Sequence, residues 1–360
     1  MPEIERTMSD DVAWLAGLSP WPEEGFGLDR MKELLAELGD PQLAYPAVHV
    51  VGTNGKSTAA VTIEQLLLTE GLTVGTTLSP HVRSWSERIR IAGLPADLPE
   101  ALARIRPAAE HVGATQFETI TAAAFDAFAQ AGVDVAVVEA GLGGRHDATN
   151  VVRSRVVLLT NVGLEHTDVL GDTVEAIAIE KLAVVHNDDT IVVISDDRFR
   201  SLVPMGRVVL GGAREAAEAF VGHRIDTADA TVNVGLPGRL QQRPGEVRDG
   251  AHNADGVMWL RAHLDPSNYT ICASILRDKN VDEMLGLLAP LGDRFVATTS
   301  SNARSLPAAV LAEHARQHFA LVEEIDDPAA AVRRAHELGE PVLVTGSLYL
   351  LADLEAVERR

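Results

Sequence analysis

Residues 50–60 read VVGTNGKSTAA, a β-branched run followed by two glycines three apart and then Lys-Ser-Thr opening an apolar stretch. Such a loop can do phosphate chemistry. Its glycines, Gly52 and Gly55, let the backbone N–H groups of Gly52, Thr53, Asn54 and Gly55 wrap an anion. Lys56 adds a point charge, and a hydroxyl from Ser57 or Thr58 can reach Mg²⁺ at the start of a helix. The run departs from the full G-x-x-x-x-G-K-[ST] pattern, because Val50 stands where the first glycine belongs. An ordinary strand-to-helix turn with a lysine cap is the alternative.

Other strand-like runs end in polar residues. LTVGTT leads into Ser79, Pro80 and His81, VDVAVV into Glu139, and RVVLLTN into GLEHTD with His166. Ligands of open parallel sheets lie outside the carboxyl ends of the strands, so Ser79, Glu139 and His166 are expected to converge on the phosphate loop. A hydroxyl, a carboxylate and an imidazole suit Mg²⁺ or Mn²⁺ held together with a nucleotide. Taken singly they also read as a turn residue, a strand-end carboxylate and a core histidine. Lys181 stands late on a helix, where a solvated cation is ordinary. RDGAHNADG places Asp249 and His252 between a strand and a helix, where they suit either substrate orientation or a turn and cap. Arg239 in PGRLQ is a surface cation or a phosphate clamp.

The elements that must position these residues alternate between short β-branched runs and amphipathic stretches, the form of βαβ units around a mainly parallel sheet. Strands are expected at AVHVVG, LTVGTT, VDVAVVEA, RVVLLTN and TIVVIS, and helices over 28–38, 56–70, 117–131 and 173–185. The pattern loosens over 226–234 before the Pro-Gly turn of LPGRLQ, which marks a domain junction. Beyond it, GEVRDG, YTICASI, DRFVATT and PVLVTGS read as strands and 307–319 and 328–338 as helices, a smaller α/β domain. A length of 360 residues suits two domains.

With 31 basic and 52 acidic residues the net charge is −21, which excludes a broad nucleic-acid surface, so anionic ligands must be held locally. A single cysteine excludes an internal disulfide and a thiolate metal cluster. No apolar run reaches the ~18 residues of a membrane span. The opening residues lack a signal segment, so a cytoplasmic protein without membrane or nucleic-acid partners is expected.

Taken in order, GLDRMKELLAELGDPQ, VHVVGTNGKST, LSPHVRSWSERIRIAG, TQFETITAAAFDAFAQAGVDVAVVEAGLGGRHDATN, LTNVGLEHTDVLG, IEKLAVV, PGRLQ, DGAHN, ILRDKN and VLVTGS resemble the folylpolyglutamate synthase and dihydrofolate synthase family of the Mur ligase superfamily. The resemblance runs from Gly27 to Leu348. It implies a P-loop domain with a mainly parallel sheet over 1–232, binding ATP and pterin, and a smaller Rossmann-like glutamate ligase domain over 233–360, with the active-site cleft between them. It also implies a monomer acting on small molecules: ATP, L-glutamate, and dihydropteroate or folates. The carboxylate is activated as an acyl phosphate and the glutamate amine attacks it.

Residue by residue, the resemblance implies that Gly52, Thr53, Asn54, Gly55, Lys56, Ser57 and Thr58 cradle ATP. Ser79 and Glu139 hold one Mg²⁺, with Ser57 nearby, and Glu139 and His166 a second. Lys181 falls at the family's carbamylated lysine, an anionic ligand if modified. Arg239 and Asp249 meet the nucleotide, and His252 lies near the incoming glutamate or the phosphoryl group. The pterin side is met by Gly27, Leu28, Asp29 and Arg30, by Pro80 and His81, by Thr115, Phe117, Glu118 and Thr119, and by Arg145, His146 and Asp147. The stretch 183–238 is contracted relative to the family, the alanine-rich GGAREAAEAF lacks the usual asparagine, and Ala254 stands at a usual proline. The rivals are a Mur-type ligase with another carboxylate or amino acid, and a non-catalytic P-loop homologue.

Overall fold

The computed structural model describes residues 10–22, 25–226 and 235–358. The chain divides into two compact units, Met1–Val234 and Gly235–Arg360. Apart from Asp226, the junction read over 226–234 lies outside the described residues.

The first unit holds β1 (Ala47–Val51), β2 (Val74–Thr77), β3 (Ile89–Ile91), β4 (Leu94–Pro95), β5 (Val135–Glu139), β6 (Ser154–Leu159), β7 (Ile191–Ile194) and β8 (Arg207–Leu210). They form one sheet in the order β4-β3-β2-β5-β1-β6-β7-β8. All neighbours are parallel except the β2–β3 and β3–β4 pairs. Every residue of β1, β2 and β5 is buried, as expected of central strands covered on both faces. β1 is therefore central, and its carboxyl end opens into the loop of Gly52–Gly55 between the ends of β5 and β6. The helix Lys56–Thr69 follows directly.

The second unit holds β9 (Gln241–Arg243), β10 (Glu246–Arg248), β11 (Thr270–Ala273), β12 (Arg294–Ala297), β13 (Leu321–Glu324) and β14 (Val342–Thr345), in the order β13-β12-β11-β14-β10-β9. Only β9 runs antiparallel. The core on one side joins Val247, Ile271, Phe295 and Leu343 to helices that include Ala254–His263 and Ala308–Ala315.

Several elements go beyond the expected set. The hairpin β3–β4 and the helix Leu98–Val112 fill a stretch with prolines at 95, 99 and 107. Pro99 sits in the first turn, where its missing N–H costs nothing. Pro107 is inside the helix and carried there by the buried face of Leu98, Ala101, Leu102, Ile105 and Ala109. Strands β8 and β13 are sheet edges with exposed ends and show no clear alternation. Among the described residues, no helix is long and apolar enough to cross a membrane.

Candidate active site

Gly52 sets the shape of the phosphate loop. Its φ of 148° lies where L side chains are rare, and a Cβ would stand 2.0 Å from Thr160 Oγ1. The loop is held from the end of β6: Asn54 N–H donates to Asn161 Oδ1 at 2.7 Å, Thr53 N–H to the Asn161 carbonyl at 2.9 Å, and Thr160 Oγ1 to the Asn54 carbonyl at 2.8 Å. Gly55, also at positive φ, opens the helix of Lys56, Ser57 and Thr58.

Two lysines meet at one carbonyl. Lys56 Nζ donates to Gly52 O at 2.9 Å and to Thr53 O at 3.2 Å, while Lys181 Nζ donates to the same Gly52 O at 3.0 Å. Lys181, near the end of the helix Val174–Leu182, is 1% exposed and pairs with Glu165 at 2.8 Å. Burial lowers its pKa below the ordinary lysine value, the Glu165 carboxylate opposing and the Lys56 charge adding to the shift. Burial pushes the Glu165 carboxyl up, but the Lys181 and Lys56 charges outweigh this and hold it below its usual value. His166 adds its charge beside Glu165; it is exposed, with φ 47° at the start of the helix Thr167–Leu170.

Glu139, at the buried end of β5, links the first turn of the helix Lys56–Thr69 to the end of β2. Ser57 Oγ donates to its Oε1 at 2.9 Å and the Ser79 backbone N–H to its Oε2 at 2.9 Å, while its own N–H donates to Thr77 Oγ1 at 3.0 Å. The structure thus brings together Ser57, Ser79 and Glu139 at one point, and Lys56, Lys181, Glu165 and His166 at a neighbouring end of the same loop. Among the described residues no three His, Cys, Asp or Glu side chains form a self-sufficient metal cage.

Of the segments expected on the pterin side, 28–30 and 115–119 meet. Arg30 Nε donates to Glu118 Oε2 at 2.8 Å, and Glu118 accepts from the N–H and Oγ1 of Thr115 in a capping box. Thr119 Oγ1 is buried without a hydrogen-bond partner. Phe117 packs over Gly141, where a Cβ would stand 2.6 Å from the ring. Gly144 lies so close to the end of the Lys181 helix that a Cβ would be 2.5 Å from the Lys181 carbonyl. Arg145 pairs with Glu180 at 3.1 Å and His146 is exposed. Asp147 instead turns inward, taking the Leu142 N–H at 2.7 Å, the Thr149 N–H at 3.0 Å and the Thr149 hydroxyl. Burial raises its pKa against those donors. Gly27 and Asp29 are exposed and Leu28 is half-buried at the start of the helix Asp29–Glu37. Pro80 is exposed, and His81 accepts from Arg88 Nε at 2.9 Å, with burial and the Arg88 charge pushing its pKa down to about 3.

In the second unit Asp249 is buried and ties two turns together, accepting from Leu240 N–H and Ala251 N–H, both at 2.9 Å. Burial raises its pKa, opposed by the Leu240 N–H, the Arg239 charge and the Ala251 N–H. Arg239 is thereby held beside the DGAH turn. His252 Nδ1 lies 2.9 Å from the Gly250 carbonyl, which makes Nδ1 the donor, and Asn253 caps the helix Ala254–His263 through Gly256 N–H at 2.8 Å.

Residues 50–233 match the Mur ligase middle domain family. The chain is 30% identical over 403 residues to the dihydrofolate synthase/folylpolyglutamate synthase of Bacillus subtilis, across 91% of this chain and 94% of that one. The chain belongs to the dihydrofolate synthase/folylpolyglutamate synthase family. It is an enzyme, an ATP-dependent ligase that adds glutamate in folate metabolism. Mycobacterium tuberculosis folylpolyglutamate synthase, complexed with ADP and AMPPCP, superposes with a TM-score of 0.86 at 28% identity over 97% of this chain and 98% of that one. The bifunctional synthase of Yersinia pestis with Mn, AMPPNP and L-glutamate bound gives 0.82 at 28% identity over 98% of each chain.

Glu165, Thr160 and Asn161 also shape this site, beyond the residues expected from the sequence. Glu165 had a signal beside it, since a carboxylate next to His166 in GLEHTD precedes a buried lysine by 16 residues. Thr160 and Asn161 act through loop geometry and carry no such mark.

Proposed function

We propose that this synthase joins the α-amine of L-glutamate to the carboxylate of dihydropteroate, of a folate, or of both. The observation that carries the reading is the meeting of Lys56 and Lys181 at Gly52 O, 2.9 and 3.0 Å away. Two ammonium groups at one carbonyl repel, and Glu165 offsets only part of that, so the loop is prepared for a polyanion such as the ATP triphosphate.

A carboxylate is a poor electrophile with no good leaving group. Attack of its oxygen on the γ-phosphorus, with ADP leaving, makes an acyl phosphate. The neutral glutamate amine then attacks the acyl carbon, phosphate leaves with its bonding electrons, and the amine proton is lost to base. Lys56, moving from its loop carbonyls to the phosphoryl oxygens, stabilises the charge that develops in the first step. The Gly52–Gly55 amides hold the triphosphate, and the Arg30, Glu118 and Phe117 group orients the pterin-linked acceptor. From the second unit, Arg239 and Asp249 serve the nucleotide and His252 the glutamate or phosphoryl group.

The donor set fits a divalent cation. Ser57 Oγ and Glu139 are hard oxygen donors 2.9 Å apart, and phosphate oxygens would complete the coordination. Ser57, Ser79 and Glu139 would hold one ion, and Glu139 with His166 a second. When bound, such an ion neutralises the charge on the transferring phosphoryl group. Lys181, with its lowered pKa, is suited to take up CO₂ as a carbamate with release of a proton; its product would be an anion beside the metal donors. The same reading takes the enzyme to be a cytosolic monomer, which light scattering on the purified chain tests for the second part.

Phosphate release from Mg-ATP, measured with and without L-glutamate across dihydropteroate, tetrahydrofolate and no acceptor, tests the reading. The expected result is release that requires both acceptor and glutamate, with product mass raised by one glutamyl unit. Release independent of either acceptor would overturn the substrate assignment. Replacing Lys56 by Ala is expected to abolish the signal.

A further inference from the structure

The strand that ends at Asp249 has a second face that the ligase chemistry does not use. Along β10, Val247 joins the apolar core, and Glu246 and Arg248 turn to the other side, where a charged strand face is unusual. The Arg248 side chain is only 3% exposed. Its Nε donates to Glu246 and its Nη2 to Glu358 Oε1 at 2.6 Å. Its Nη1 is buried with no acceptor. A buried guanidinium N–H without an acceptor is costly, and a ligand oxygen is the natural remedy.

A cavity of about 450 Å³ adjoins this group, between the β9–β10 hairpin and the helices Pro328–Leu338 and Leu348–Glu358. Val332 and Leu354 supply apolar wall. Arg333 also lines it, and among the described residues Arg333 has no hydrogen bond or ion pair. Arg248, whose Nη1 has no acceptor, and the unpaired surface guanidinium of Arg333 thus line one cavity together with an apolar wall.

We propose that this cavity binds a small organic carboxylate, its head on Arg248 and Arg333 and its apolar body against Val332 and Leu354. Planar guanidinium groups match a carboxylate with paired N–H bonds. Glu246 and Glu358 already line the cavity and would repel a dianion, which favours a singly charged head over a phosphate. The volume lies within the range of small-molecule pockets, about 300–1,000 Å³. The site is built wholly from the second unit and does not depend on which acceptor the synthase uses.

Titration calorimetry of the full chain with benzoate, benzamide and acetate tests the proposal without any ligase substrate. Benzoate is expected to bind saturably, with benzamide and acetate each at least tenfold weaker, because one lacks the charge and the other the apolar body. Arg333→Ala is expected to weaken benzoate at least fivefold and Arg248→Met to remove binding. Should Arg248→Met fail to fold, the exposed Arg333→Ala carries the test alone. Equal binding of benzoate and benzamide, no saturable binding, or benzoate affinity unchanged in Arg333→Ala would each overturn the proposal.

Discussion

Two buried ion pairs in the first unit look alike on burial and differ in what surrounds them. Glu64, on the helix Lys56–Thr69, is fully buried and takes Arg90 Nε on both oxygens at 3.0 Å, with Arg90 Nη2 also reaching the Gly93 carbonyl at 2.7 Å. That pair straps the β3–β4 hairpin onto the sheet's first helix. Lys181 and Glu165 are nearly as buried, yet the lysine shares its carbonyl partner with Lys56 and has a lowered pKa. Burial of a charge therefore does not mark the site. An imposed like charge at the carboxyl end of the sheet does, because an anionic ligand relieves it.

The largest expected effect separates the pairs by what each loses. Lys181→Met should lower ligation by about 10³-fold, as when a preorganised electrostatic group of the phosphate and metal site is removed, with little change in melting because Lys56 remains beside Glu165. Arg90→Met should do the reverse. It strands a buried Glu64 and should destabilise the first unit by about 3 kcal/mol while turnover per folded molecule is kept. Steady-state rates and thermal melts on both variants decide this, and a melting loss in Lys181→Met with normal turnover would dissolve the distinction.

A smaller effect reports on the charge of Lys181 itself. Its pKa in the folded chain lies below the ordinary 10.5. Between those two values the unfolded chain keeps a proton that the folded chain has released, so stability rises with pH across that window. Below both values the buried ammonium is a standing cost. Melting of the wild type relative to Lys181→Met should therefore improve as pH is raised toward 10.5. A constant difference would show that Glu165 holds the charge as well as water does.

The same contrast explains what could be read from the residues. Strands β1, β2, β5, β6 and β7 were legible because each is short, β-branched and almost wholly buried, and the polar residue after it falls at the carboxyl end by topology alone. Lys181 was not, since nothing in its helix period distinguishes a cation buried on Glu165 from a solvated one. The hairpin β3–β4 and the helix Leu98–Val112 were hidden by prolines that tertiary packing tolerates. Asp249 reads as a cap or a ligand contact, but the structure uses its carboxylate to join two turns, a contact between residues nine apart that local pattern does not encode. Arg248 depends on Glu358, 110 residues away.

Arg30 and Glu118 form a third pair that sharpens the comparison. Glu118 belongs to a capping box with Thr115, a structural duty, yet its partner Arg30 is 22% exposed and lies in a segment proposed for the acceptor. Removing the arginine leaves the cap intact, because the Thr115 N–H and hydroxyl still satisfy Glu118. Arg30→Ala should thus cost no more than about 1 kcal/mol of stability, the scale of a partly exposed pair. If the pair orients the acceptor, KM for the pterin substrate should rise about tenfold at nearly constant kcat, the signature of lost binding common to ground and transition states. An unchanged KM with the same small stability loss would place Arg30 with Arg90 as a strap, and would move acceptor recognition onto Phe117 and the loop that it covers.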